Sequence, residues 1–355
     1  MNRPVSGPEY AEQRTSPARD LHPASFAMVM ATGIVAVAAQ LRGFTALAQS
    51  LHVLNIGFYV VLWALTLRRI IAFRRELVAD LCDHGRAFGY LTTVAATCVL
   101  GNQFIVVVER PQVACGLWAL GIGLWALATY SVLTILTVKQ VKPTLAEGIN
   151  GGWLVAVVAA QSVATLGTLV APFFAVARDA AMFFALIMWL GGGMLYIWII
   201  ALIFYRYTFF PLEAGQLAPP YWINMGAMAI STLAGTLLVQ NTAGSPLVAS
   251  LQPFILGLTL LFWATATWWI PLLVALGAWR HLVRRVPLGY DVVYWSAVFP
   301  LGMYSVCTHR LARVANQPFL DPIPQGFLWI ALAAWIVTLV GLLRRQFAWF
   351  RQRLQ

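Results

Sequence analysis

The sequence predicts an all-α integral membrane protein, with ten transmembrane helices paired as five hairpins, the odd helices around an inner pore and the even ones in an outer ring. Three observations predict it. Hydrophobic residues make up 61% of the 355 residues and charged residues only 10%, against roughly 25% charged in a soluble domain. Ten stretches free of Asp, Glu, Lys and Arg are each long enough to cross about 30 Å of hydrocarbon at about 1.5 Å per residue. Tryptophan and the small hydroxyl residues divide between odd and even stretches.

Residues 1–22 carry Pro, Ser and both charge signs but no apolar core of a signal peptide. They read as a disordered tail, and the first span, 24–41, as the insertion signal. That span holds Ser25 and Thr32 one heptad apart. The second, 51–67, runs into the basic group Arg68, Arg69, Arg74 and Arg75. The third, 88–108, places Thr93, Thr97 and Gly101 at i, i+4 and i+8, with Asn102 beside them; the fourth, 113–138, holds Trp118 and Trp125. The fifth, 150–170, carries Gln161, Thr165 and Thr168. The sixth, 180–205, contains Gly191 to Gly193, which lack the Lys and Ser/Thr of a phosphate loop and fit close helix approach. The seventh, 219–240, has Asn224, Ser231 and Gly235. The eighth, 251–279, and ninth, 292–309, are interrupted by Pro271 and Pro300, each of which frees the carbonyl four residues earlier. The tenth, 323–343, closes a membrane domain of residues 23–343 and leaves a basic tail, 344–355. Barrel strands would be about half as long, with alternating polarity.

Ten spans put both termini on one side. Of the 23 basic residues, all but Arg42, Arg110, Arg178, Arg310 and Arg313 then fall on that side, which the positive-inside rule makes cytoplasmic. The formal charge of +11 therefore reports orientation in a cell membrane before it reports a partner, and no nucleic-acid partner is expected. Cys82, Cys98, Cys115 and Cys307 form no CxxC or Cys/His pattern, so no metal or other cofactor is expected and the thiols read as reduced.

Eleven of the 15 Trp lie in even spans, whereas Ser, Thr, Asn and Gln are concentrated in odd ones. Trp suits lipid and its interface; small and hydroxyl residues suit close helix contact or a wet lumen. The one-faced stripes name Thr32, Thr93, Thr97, Gly101, Gln161, Thr165, Ser231, Gly235 and Pro300 as candidate pore-lining residues. The same residues also fit helix-packing contacts in a closed bundle; four stripes on alternate spans point to a central path.

Three segments, in order, carry a family resemblance: HPASFAMVMATGIVAV at 22–37, PPYWINMGAMAIS at 219–231 and YWSAVFPLGMYSVCTHRLA at 294–312. Over about 22–343 the chain resembles the tellurite-resistance/dicarboxylate transporter family, which includes tellurite-resistance permeases, yeast malate permease and sulfite pumps, and plant slow-type anion channels. The resemblance implies five hairpins in quasi-fivefold arrangement, a homotrimer with one pore per subunit, and a phenylalanine on the ninth helix that plugs the pore, placed here at Phe299. Tyr294 departs from the plant pattern, where a second Trp is common, and the tails are too short for the plant channels' phosphorylated segments.

The function expected is an anion channel or permease moving small anions or C4-dicarboxylates, because the candidate pore offers hydroxyls, amides and glycines but no carboxylate. The alternative is a proton-coupled dicarboxylate or oxyanion carrier for tellurite or sulfite. Proton relays generally use Asp, Glu or His; His52 and His309 lie near span ends and Asp179, Glu213 and Asp291 outside the spans. An enzyme is not expected, since no HExxH, paired carboxylates or Ser/His arrangement lies at membrane depth.

Overall fold

A computed structural model describes residues 16–354. Ten long helices form where apolar runs meet turn signals: α1 (Ala27–Leu41), α2 (Thr45–Ala72), α3 (Thr92–Val106), α4 (Pro111–Val138), α5 (Val155–Val170), α6 (Arg178–Phe209), α7 (Ile223–Gln240), α8 (Gln252–Ala278), α9 (Trp295–Val314) and α10 (Pro322–Leu354). Among the described residues no strand is present, and nine helical segments are long and apolar enough to cross a membrane. The tenth, α9, falls outside the nine; its last turns carry His309, Arg310 and Arg313.

The odd helices enclose an axis. α1 packs on α3, α3 on α5, α5 on α7, α7 on α9, and α9 on α1 again. Each begins in a 3-10 turn (Pro23–Phe26, Ala87–Leu91, Gly151–Leu154, Pro219–Trp222 and Val292–Tyr294), and these five turns touch one another in the same cyclic order. All five N-termini therefore lie at one end, and the inner helices run parallel. Side-chain acceptors fix three of the turns: His22 Nδ1 takes the Ala24 amide at 3.1 Å, Asn150 Oδ1 the Gly152 amide at 2.7 Å, and Asp291 Oδ1 the Val293 amide at 3.1 Å. The ring is tight enough that a Cβ on Gly151 would lie 2.4 Å from the Pro220 carbonyl oxygen.

Each even helix packs on the odd helix before it, and each gives at least one aromatic hydrogen bond to the odd helix after it. Tyr59 of α2 donates to Thr97 Oγ1 (2.9 Å), and Trp118 of α4 to the Val163 carbonyl (3.1 Å). Trp189 of α6 reaches the Ser231 carbonyl (2.8 Å), Trp263 of α8 reaches Thr308 Oγ1 (3.0 Å), and Trp335 of α10 reaches Thr32 Oγ1 (2.9 Å). An indole or phenol can bury its ring between helices and still satisfy its one polar atom, which in hydrocarbon has no water to turn to. The even-span tryptophans are thus not uniformly lipid-facing as the composition suggested. Trp198 and Trp268 are exposed, whereas Trp189 and Trp335 are buried in the seam between rings and Trp269 is buried against Tyr196 of α6.

Residues 1–15 lie outside the described residues, but 16–22 are not loose. The buried Arg69 guanidinium donates to the carbonyls of Arg19 and Leu21 and pairs with Asp80, which Arg86 also reaches at 2.8 Å. The basic segment after residue 343 continues α10 as helix through Leu354. Glycines 192 and 193 are approach points: a Cβ there would meet Gln161 of α5 and Phe262 of α8.

Candidate functional site

The axis of the inner ring carries the candidate site. At the C-terminal ends of the odd helices lies a cavity of about 20 Å³, room for one water, walled by all five helices. Its lining is Ile34, Val37 and Leu41 of α1; Val99, Asn102 and Val106 of α3; Thr165 and Leu169 of α5; Leu233 and Leu237 of α7; and Val306 and Arg310 of α9. The spacings i, i+3 and i+7 in α1 and α3 identify the stripe that each turns inward.

Chemically the wall is apolar, with one amide, one hydroxyl and one guanidinium. The Thr165 hydroxyl already donates to the Gln161 carbonyl at 2.7 Å, so it offers the cavity an acceptor. Asn102 is only 5% exposed, and among the described residues its side chain makes no hydrogen bond. Arg310 donates to Gln240 Oε1 at 3.4 Å, and no described carboxylate lies within ion-pair distance of it. Five parallel helices point their negative dipole ends at this mouth and their positive ends at the ring of 3-10 turns.

Phe299 is 1% exposed and precedes Val306 and Arg310 on α9 by seven and eleven residues. It shares their inward stripe, about 10 Å further toward the N-terminal end. Pro300 packs instead against α7, where a Cβ on Gly226 would lie 2.6 Å from its ring.

Of the other residues read as pore-lining, Thr165 borders the cavity and most of the rest face the neighbouring helix. Thr32 and Thr97 accept from Trp335 and Tyr59 of the outer ring. Gln161 donates to the Trp189 carbonyl at 2.9 Å, and the Ser231 carbonyl accepts from Trp189. Gly101 lies against Leu166, and Gly235 against Thr259 and Trp189. Thr93 bonds its hydroxyl to the Tyr90 carbonyl at 2.7 Å, beside the N-terminal turn of its own helix. The physical reason is common to them: in a bundle whose inner helices are buried on every side, a hydroxyl serves helix contact on all faces but one.

Sequence reasoning missed Arg310 as a site residue, counting it as a loop charge, and passed over Asn102. The signal for Arg310 was its spacing of eleven from Phe299, three helical turns on the same face. His52, read as lying near a span end, sits about two turns inside α2 and is 4% exposed, with its ring edge-on to Phe104 and one turn from Asn55, whose amide donates to Gln103 at 2.8 Å.

Comparison with known proteins agrees with this architecture. The family model described as voltage-dependent anion channel matches residues 20–343. An uncharacterized membrane protein of Mycobacterium tuberculosis is 42% identical over 149 residues, covering 42% of this chain and 75% of its own. An uncharacterized transporter of Methanocaldococcus jannaschii is 26% identical across 91% of this chain and 94% of its own, and a sulfite efflux pump of Arthroderma benhamiae is 21% identical across 90% and 88%. With five inner helices closed around one axis and the family model spanning all of them, the chain belongs to the voltage-dependent anion channel family.

Proposed function

We propose that this protein carries small anions through the axis of its inner ring, with the Phe299 ring as the plug. The observation that carries the reading is the axial lining itself: apolar residues from five helices, a single cation and no carboxylate. A narrow apolar passage excludes ions by steric closure and dewetting, and a phenyl ring on its wall completes the closure; rotation of that ring away opens it. Anions approach from the end where five helix N-termini converge and where the basic loops gather, which the charge asymmetry makes the cytoplasmic face of a cell membrane. The sulfite efflux pumps among the relatives support a compact oxyanion among the cargoes. Assembly as a trimer, one pore per subunit, remains part of this reading through the family resemblance.

The test is anion flux in liposomes. Phe299→Ala should raise it several-fold; flux unchanged in monodisperse protein would remove the plug from the mechanism. A second reading, proton-coupled transport, gains support from the burial of His52 beside Asn55 and Gln103, since an intramembrane ionisable residue commonly marks a proton path. Anion uptake driven by a pH gradient alone, and lost in His52→Gln, would favour it.

A further inference from the structure

We infer that Asn102 and Arg310 form an anion-binding site in the axial cavity, beyond Phe299 toward the helix C-termini, and that its ligand is a compact monovalent anion, such as a halide, nitrate or hydrogensulfite, rather than a C4-dicarboxylate. The inference rests on the reading that anions travel this axis, and it names where they pause and which class is accepted.

Three features converge. The other buried side-chain amides of the inner helices each make one side-chain hydrogen bond and leave one end unmet: Gln161 donates to the Trp189 carbonyl, Asn224 donates to Tyr207 and Gln103 accepts from Asn55. Asn102, equally buried, makes no side-chain hydrogen bond among the described residues: Oδ1 is buried without a donor, Nδ2, the end that can donate to an anion, has no acceptor, and the residue borders the cavity. An amide held without a partner is costly unless a ligand or water meets it. Arg310 brings five N–H donors to the same cavity, with one long hydrogen bond to Gln240 and no described carboxylate to neutralise it. The remaining wall is apolar, so the field of that guanidinium is weakly screened. It acts where the five helix C-termini would otherwise repel an anion.

Charge and size set the ligand class. Arg310 is the one guanidinium lining the cavity and balances one negative charge; the second carboxylate of a C4-dicarboxylate would sit among Leu41, Val106, Leu169 and Leu237 with no further cation in the lining. A cavity of about 20 Å³ already admits a water-sized particle, so small side-chain shifts suffice for a halide, whereas an extended dianion needs the helices to separate.

Binding is read first on the plugged protein, from the rise of the thermal midpoint in detergent as sodium nitrate or sodium malate replaces gluconate at constant ionic strength. Nitrate should act at lower concentration than malate. Arg310→Gln and Asn102→Leu should each raise the half-maximal nitrate concentration about tenfold or more, while Arg310→Lys keeps most of the effect. The same variants are then placed in the Phe299→Ala background, where the half-saturating concentration for nitrate flux should shift by a similar factor. Unchanged half-maximal concentrations in Asn102→Leu and Arg310→Gln would overturn the site, and malate matching nitrate would overturn the ligand class. If Arg310→Gln fails to fold, Asn102→Leu decides alone. Failure of Phe299→Ala to raise flux would instead strike the plug, leaving the binding measurement to stand or fall separately.

Discussion

The inner and outer helices are built from similar apolar stock and solve different problems. The four inner segments that pass as apolar spans are 72–94% buried, against 22–44% for the five outer ones. An inner helix must fit two inner neighbours and at least one outer helix, so its surface is set by contact almost all round. An outer helix answers to protein on one face and to lipid on the other, where one apolar side chain replaces another at little cost. Polarity follows from this division. Acceptors on the inner ring, hydroxyl or carbonyl, and indole or phenol donors on the outer ring are two halves of one seam, repeated five times around the axis.

The sharpest way to break the comparison is through glycine. Gly151, in the turn before α5, has the Pro220 carbonyl in its Cβ position, and backbone cannot step aside as a side-chain tip can. Gly151→Ala should destabilise by about 3 kcal/mol, read as a lower thermal midpoint in detergent and loss of monodisperse protein. Gly257, on the exposed face of α8, has nothing within 4 Å of its Cβ position. Gly257→Ala should instead stabilise by about 0.5–1 kcal/mol through helix propensity. Equal effects at the two positions would mean that the inner ring is not closed as described.

The seam gives a smaller contrast. Trp335→Phe keeps most of the ring and removes the N–H that reaches Thr32, which should cost about 1 kcal/mol. Trp198 is 60% exposed on α6, and Trp198→Phe should lie within about 0.5 kcal/mol of the parent. Measured midpoints that rank the two in reverse would return the even-span tryptophans to lipid anchoring.

This seam also explains what the sequence could and could not show. The two rings were legible because burial differs by parity, and parity leaves a compositional trace: Thr32 and Thr97 on odd spans, Trp118 and Trp335 on even ones. The axis was not legible, because a threonine that faces a pore and one that receives an indole look alike in one dimension; only the angular position of each stripe separates them. Thr165 and Gln161, four residues apart on one face, show that height along the axis matters as well, one bordering the cavity and the other bonded to α6. Arg310 was hidden by a different effect. Hydropathy treats a charge as the end of a span, yet α9 continues four residues past it, and a long side chain near a helix end can carry its head toward the mouth.

The smallest effect concerns the ring of 3-10 turns, where one of the caps can titrate. His22 Nδ1 accepts the Ala24 amide, which only the neutral imidazole can do. Burial and the nearby Arg86 guanidinium hold the His22 pKa below its ordinary value of 6.5. Because the folded-state value is the lower one, the unfolded chain binds the proton more readily. The contribution of this cap is then complete above pH 6.5 and declines as pH falls through 6.5 toward the depressed value. Asn150, another cap in the ring, differs in kind, because an amide does not titrate. The thermal midpoint should therefore fall as the pH drops below 6.5, by an amount matching at most one cap, about 1 kcal/mol. His22→Asn, which retains an acceptor, should flatten that stretch of the profile while leaving the midpoint above pH 7 nearly unchanged. A variant whose midpoint still falls with the parental slope would move the pH sensitivity away from the inner ring's N-terminal turns.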